Sequence, residues 1–153
     1  MNTTPTILGL DASSTMIGYC LLSGGQVTAH GELKLTGAYI ADRCRQAHAA
    51  LGLLLATHPD VDCVAIEAPV GQFTKAVIPQ ARVSGALMAT ARLKGLHVVE
   101  VSPAAAKRRL AGHGNATKEE MQRAAAGYGV CGEHAADAVG VALAAAGKVE
   151  VVA

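Results

Sequence analysis

The chain has 153 residues, 51% of them hydrophobic and 3% aromatic. That is apolar mass for one substantial core and too little length for two ordinary domains, so a single domain over 1–153 is expected. No apolar run reaches the ~18 residues of a membrane span, and the opening MNTTPTILGLD lacks the basic start of a secretory signal, so a cytoplasmic, intracellular protein is expected. The formal net charge of +1 averages two unlike parts: Lys75 to Arg123 holds nine basic residues against three acidic ones, and the remainder four against nine. A half suited to phosphates therefore accompanies a half rich in carboxylates. Cys20, Cys44, Cys63 and Cys131 are scattered, without the close pairing of a zinc site, and read as reduced structural thiols.

In chain order, Thr6–Asp11 is a short apolar run ending on an acid. Met16–Leu22 is a second run, set off by the small polar segment Ala12-Ser13-Ser14-Thr15, and the two read as a strand, a turn and a strand. After Ser23-Gly24-Gly25, the alternation of Val27, Ala29, Leu33 and Leu35 predicts a third strand over Gln26–Leu35, completing an antiparallel meander. The period then becomes helical over Ala38–Thr57, with Ile40, Cys44, Ala47, Leu51 and Leu54/Leu55 along one stripe, and Pro59 stops it. Asp62–Glu67 is a β-branched run, again closing on an acid. Lys75–Lys94 reads as a second helix with a small-sided stripe, Ile78, Ala81, Gly85 and Met88, followed by a strand over Leu96–Val101.

Pro103 opens a short helix to Leu110. Thr117 and Glu120 form a capping-box pair for a helix to about Ala126, and Glu133–Ala146 is the last helix, leaving Val149–Val152 without an assignment. The order is an α/β mixed sheet: three antiparallel strands, then crossover units adding parallel ones.

If the first and fourth strands lie side by side, Asp11 and Glu67 come together at their carboxyl ends, where ligands of such sheets gather. Both acids finish apolar runs, and poorly solvated neighbouring carboxylates repel unless a cation lies between them, so a hard divalent ion is the expected ligand. His134 and Asp137, three apart on the last helix, project from one face and can add an imidazole and a carboxylate.

With these residues in place, the chain resembles the RuvC-type Holliday junction resolvases over nearly its whole length. The matching segments are ILGLDASSTMIGY with Asp11, Gly18 and Tyr19; VAIEAP with Glu67; Gln80-Ala81-Arg82; KRRLAGHGNATKEEM with Lys107, Gly112, Gly114, Ala116 and Lys118; and HAADAVGVALA with His134 and Asp137. It departs from the family at Ala12-Ser13, where Pro-Gly is usual, and at His134, where some members carry Asp.

The resemblance implies an RNase H-like five-stranded sheet flanked by helices. It also implies a structure-selective endonuclease that cuts four-way DNA junctions by hydrolysis, leaving a 5′ phosphate and a 3′ hydroxyl, with Asp11, Glu67, His134 and Asp137 holding two Mg²⁺ or Mn²⁺ ions. Lys107 and Lys118 are candidates for stabilising the phosphate in the transition state. Lys75, Gln80, Arg82, Arg108 and Arg109 are candidates for DNA contact, and Phe73, the sole phenylalanine, for base stacking. A two-fold junction needs two matched nicks, so a homodimer is expected, with the small-sided helix over Lys75–Lys94 as the candidate interface. Two alternatives stand beside this reading: a less structure-selective RNase H-like nuclease, and a nucleotide-binding domain of the actin and sugar-kinase type, whose phosphate loop GLDASST also resembles.

Overall fold

The computed structural model describes residues 4–71 and 75–149. Its elements run β1 (Ile7–Ala12), β2 (Met16–Ser23), β3 (Gln26–Lys34), α1 (Ile40–Thr57), β4 (Cys63–Glu67), α2 (Val77–Leu93), β5 (His97–Val101), α3 (Pro103–Ala111), α4 (Lys118–Ala126) and α5 (Glu133–Ala146). The strands form one sheet in the order β3-β2-β1-β4-β5. The pairs β1/β2 and β2/β3 are antiparallel, and β1/β4 and β4/β5 parallel. This is the expected meander with parallel strands added on its far side. Among the described residues, no helix is long and apolar enough to cross a membrane.

All six residues of β1 are buried because the strand is central and covered on both faces. Leu8, Leu10 and Ala12 join Ile17, Leu21, Val64 and Ile66 beneath α1 and α2, whose Ala47, Leu51, Leu55, Val83, Leu87 and Ala91 close that core. Ile7, Cys20, Leu22, Cys63, Ala65 and Val101 meet α3, α4 and α5 on the opposite face. Each fully buried leucine or isoleucine contributes about 1.5–3 kcal/mol relative to exposure.

The two helical layers differ in grain. α5 buries nine residues, all alanine, valine or glycine, so it gains stability by close approach more than by side-chain bulk. A Cβ on Gly9 would stand 2.6 Å from the Ala138 carbonyl oxygen, and one on Gly18 would run into the His134 carbonyl oxygen.

α2 turns differently from the expected stripe. Its buried side is Val83, Ser84, Leu87, Thr90 and Ala91, whereas Ala81 and Gly85 face out and Ile78 is 44% exposed. Met88 alone of the stripe leans against the core.

The β2–β3 ladder contains a bulge. Leu22 pairs with Val27 but Leu21 pairs with Ala29, which leaves Thr28 as an extra residue on β3. The Thr28 hydroxyl donates to the Leu21 carbonyl at 3.5 Å.

Candidate active site

Asp11 enters the site from the end of β1, only 6% exposed. β1 and β4 are in register from Ile7↔Cys63 to Leu10↔Ile66. One further step along that register sets Asp11 beside Glu67, and both fall on the α5 face by strand alternation. α5 lies across this face with His134 and Asp137 in its first turns. The His134 Nδ1 is 3.2 Å from Asp11 Oδ2. Glu67 and Asp11 share a side-chain hydrogen bond that raises the Glu67 carboxyl.

The electrostatics follow from crowding acids in a dry place. Glu67 is pushed up to about 9, by burial first, then by its hydrogen bond with Asp11 and the negative charges of Asp11 and Asp137, against the pull of Lys107. Asp137 rises to about 6, again by burial first and then by Asp11, with His134 and Lys107 opposing. His134 is raised by its hydrogen bond to Asp11, against its burial. Among the described residues, no three His, Cys, Asp or Glu side chains converge closely enough to enclose an ion as they stand. They are turned onto one another, Asp11 bonding both His134 and Glu67. The donor set fits a divalent cation chemically: three carboxyls and one imidazole on one face, two of the carboxyls protonation-prone for want of positive charge.

Neighbouring residues brace this centre. Gln80 donates from its side-chain amide to the Ala12 carbonyl at 3.0 Å, tying α2 to the end of β1. Ser13 accepts from the amides of Thr15 and Met16, closing the turn where Pro-Gly is absent. Arg43 of α1 donates to the Ser14 carbonyl at 3.0 Å, while its buried Nε has no hydrogen-bond partner among the described residues. Neither Arg43 nor Glu32, described below, was singled out by the sequence, because both reach the site across long stretches of chain.

The candidate cations divide. Lys107, half-buried on α3, acts electrostatically on Glu67 and Asp137. Lys118 is exposed and engaged with Glu133 at 2.6 Å, bridging the starts of α4 and α5. Lys75 and Arg82 are exposed near the start of α2. Arg108 and Arg109 line a cleft between α3 and α5 with Lys148, with the Arg109 Nε 3.5 Å from the Leu143 carbonyl. Phe73 lies outside the described residues, as does the end of the chain from residue 150. The four cysteines are free. Cys20 and Cys63 are buried, which pushes their thiols up to about 12 and about 11.

A mixed sheet of this order, with acids at the ends of β1 and β4 and a helix bringing further ligands across them, defines an RNase H-like nuclease fold. The family model for "Crossover junction endodeoxyribonuclease RuvC" matches residues 7–145, and the chain belongs to that family. A RuvC from Erythrobacter litoralis is 32% identical over 147 residues, covering 90% of each chain. One from Alkalilimnicola ehrlichii is 32% identical over 121 residues, 76% of this chain and 73% of that one. Among solved structures, RuvC of Thermus thermophilus in complex with a Holliday junction substrate superposes with a TM-score of 0.78 at 24% identity, covering 92% of each chain. The yeast mitochondrial Holliday junction resolvase Ydc2 superposes at 0.64 with 12% identity, over 96% of this chain and 78% of that one. Family membership disposes of the kinase-like alternative.

Proposed function

We propose that this protein is a structure-selective endonuclease that resolves four-way DNA junctions by metal-dependent phosphodiester hydrolysis, leaving a 5′ phosphate and a 3′ hydroxyl. The observation that carries the reading is the meeting of Asp11, Glu67, His134 and Asp137 on one face of the sheet, in a chain of the RuvC family. A bound divalent cation would supply a lowered pKa for the attacking water and neutralisation of the departing oxygen. The chain's own part is to present Asp11, Glu67, Asp137 and the His134 imidazole as ligands. The imidazole, a softer donor than carboxylate, favours Mn²⁺ over Mg²⁺.

Lys107, from the half-buried side of α3, holds the scissile phosphate and offsets its growing negative charge. Lys118 can join it by exchanging Glu133 for phosphate, a substitution that costs little at an exposed pair. Arg108, Arg109, Lys75 and Arg82 supply salt-sensitive backbone affinity. One active site per chain and two nicks per junction require a homodimer, and the outward stripe of Ile78, Ala81 and Gly85 on α2 is the surface proposed for it.

The test is cleavage of a synthetic four-way junction with Mg²⁺ or Mn²⁺. Symmetric nicks are expected on the junction and few on linear duplex of the same sequence. Asp11→Asn should bind the junction and lose cutting by roughly a thousandfold or more. Equal cutting of linear duplex would remove the junction-resolving claim.

A further inference from the structure

His134 is only as well placed as the first turn of α5, and that turn has no cap of its own. The residue before it, Gly132, has no side chain and makes no side-chain cap hydrogen bond. The missing acceptor comes from another part of the molecule. Glu32 of β3 reaches across, and its Oε1 accepts from the His134 amide at 2.9 Å and the Ala135 amide at 3.2 Å. Gly132 also makes room for it: a Cβ there would stand 2.6 Å from Glu32 Oε1. The register explains the reach. Asp11 pairs with Gly18 and Gly18 with Glu32, so the three form one transverse row across β1, β2 and β3, all facing α5. His134 touches each of the three: its ring meets Asp11, its carbonyl rests over Gly18 where no side chain intervenes, and its amide donates to Glu32.

We infer that Glu32 is a positioning residue for the metal-binding centre: it fixes the height and rotation of the first turn of α5, so that the His134 ring meets Asp11 and Asp137 faces Glu67. A carboxylate at a helix N-terminus is matched to the unpaired amides and to the positive end of the helix dipole. It does so here in place of the Ser, Thr, Asp or Asn that would occupy the cap position of most helices. Glu32 acts through the backbone of His134 and Ala135, from whose amides its carboxylate accepts. The inference rests on the nuclease reading for its consequence, though not for its geometry.

The experiment compares wild type, Glu32→Ala and Glu32→Gln, since glutamine keeps an acceptor oxygen at the same reach. Hydrogen exchange of the His134 and Ala135 amides, without metal or DNA, should speed up roughly tenfold in Glu32→Ala and much less in Glu32→Gln. Unchanged exchange in Glu32→Ala overturns the inference whatever the protein does. Mn²⁺ affinity of the DNA-free protein, and kcat on a junction well below the thermal midpoint, should both fall roughly 10- to 100-fold in Glu32→Ala. The junction KM should move by less than about twofold, and Glu32→Gln should recover most of the loss.

Thr117→Ala, a cap removed from α4, controls for plain destabilisation and should leave Mn²⁺ affinity unmoved. If Glu32→Ala lowers only the thermal midpoint and leaves Mn²⁺ affinity and kcat at wild-type values, the positioning role is refuted. A wild type that neither binds Mn²⁺ nor nicks overturns the nuclease reading and the catalytic half of the inference. The exchange result then decides the capping half by itself.

Discussion

Helices α4 and α5 follow one another in the chain, yet their first turns are secured in opposite ways. At α4, the Thr117 hydroxyl accepts from the Glu120 amide and the Glu120 carboxylate accepts from the Thr117 amide, both at 3.2 Å. This box lies within four residues and can form with the helix itself. At α5, the acceptor is Glu32, 102 residues before His134, and it arrives only once β3 has been laid against β2. The first kind of end stabilises a helix. The second ties a helix to a sheet, and it is found where the chemistry needs a side chain at a set height.

The sharpest way to break this contrast is Gly18→Ala. The new methyl would run into the His134 carbonyl, so α5 must lift from β2. We expect a loss of about 3 kcal/mol in denaturant unfolding, and loss of junction cutting even at temperatures where the variant is folded.

The pH dependence of the metal-free protein comes next. Glu67 and Asp137 have raised pKa values in the folded state, so above the ordinary carboxyl range the native protein binds more protons than the unfolded chain. Stability should therefore fall as pH rises, from about 4.5 through about 9 for Glu67. The stabilisation from His134, also raised, is present at low pH and is lost in the same direction. Thermal midpoints measured across this range in a chelator should slope downward, and Mn²⁺ should flatten the slope by taking the place of the protons. A flat profile in chelator would mean that the carboxyls are solvated and the cluster looser than described.

At the α4 end, Thr117→Ala should cost about 1 kcal/mol, read from urea unfolding. Smallest of all is Glu133→Gln. It releases Lys118 from an exposed pair, so the thermal midpoint should not measurably move, and junction cutting should be maintained or improved.

The parts of the molecule legible in its sequence are those whose signal is local. Apolar runs closed by Asp11 and Glu67, the stop at Pro59, the Thr117/Glu120 box and the three-residue spacing of His134 and Asp137 each stand within a few residues, and the structure keeps them all. Adjacency of β1 and β4 was a condition that the order of elements allowed, and the structure meets it, setting the two acids on one face.

The orientation of α2 was not legible. Small residues stand on both of its faces, Ala81 and Gly85 outside and Ser84 and Ala91 inside, and the exposed Ile78 and Leu93 blur the contrast that Val83 and Leu87 within and Arg82 and Arg92 without would otherwise give. Gln80, read as a DNA contact, donates to the Ala12 carbonyl, an engagement that depends on how α2 settles over the sheet. Glu32 looked like an ordinary outward residue of an alternating edge strand. Nothing near it in the chain announces a partner beyond residue 130.

That partnership depends on the bulge at Thr28, which takes this residue out of the ladder. Counting back from the Gly24-Gly25 turn without the bulge, Glu32 would fall opposite Ile17 and point to the other side of the sheet, toward α1. Whether that one residue is bulged or paired thus exchanges inside for outside along the rest of the strand. A regular ladder through Thr28 would leave every atom of Glu32 intact and send its carboxylate to the wrong address, whereas deleting Thr28 would keep Glu32 opposite Gly18. The specification of the nuclease centre therefore extends to a hairpin that contains none of its ligands.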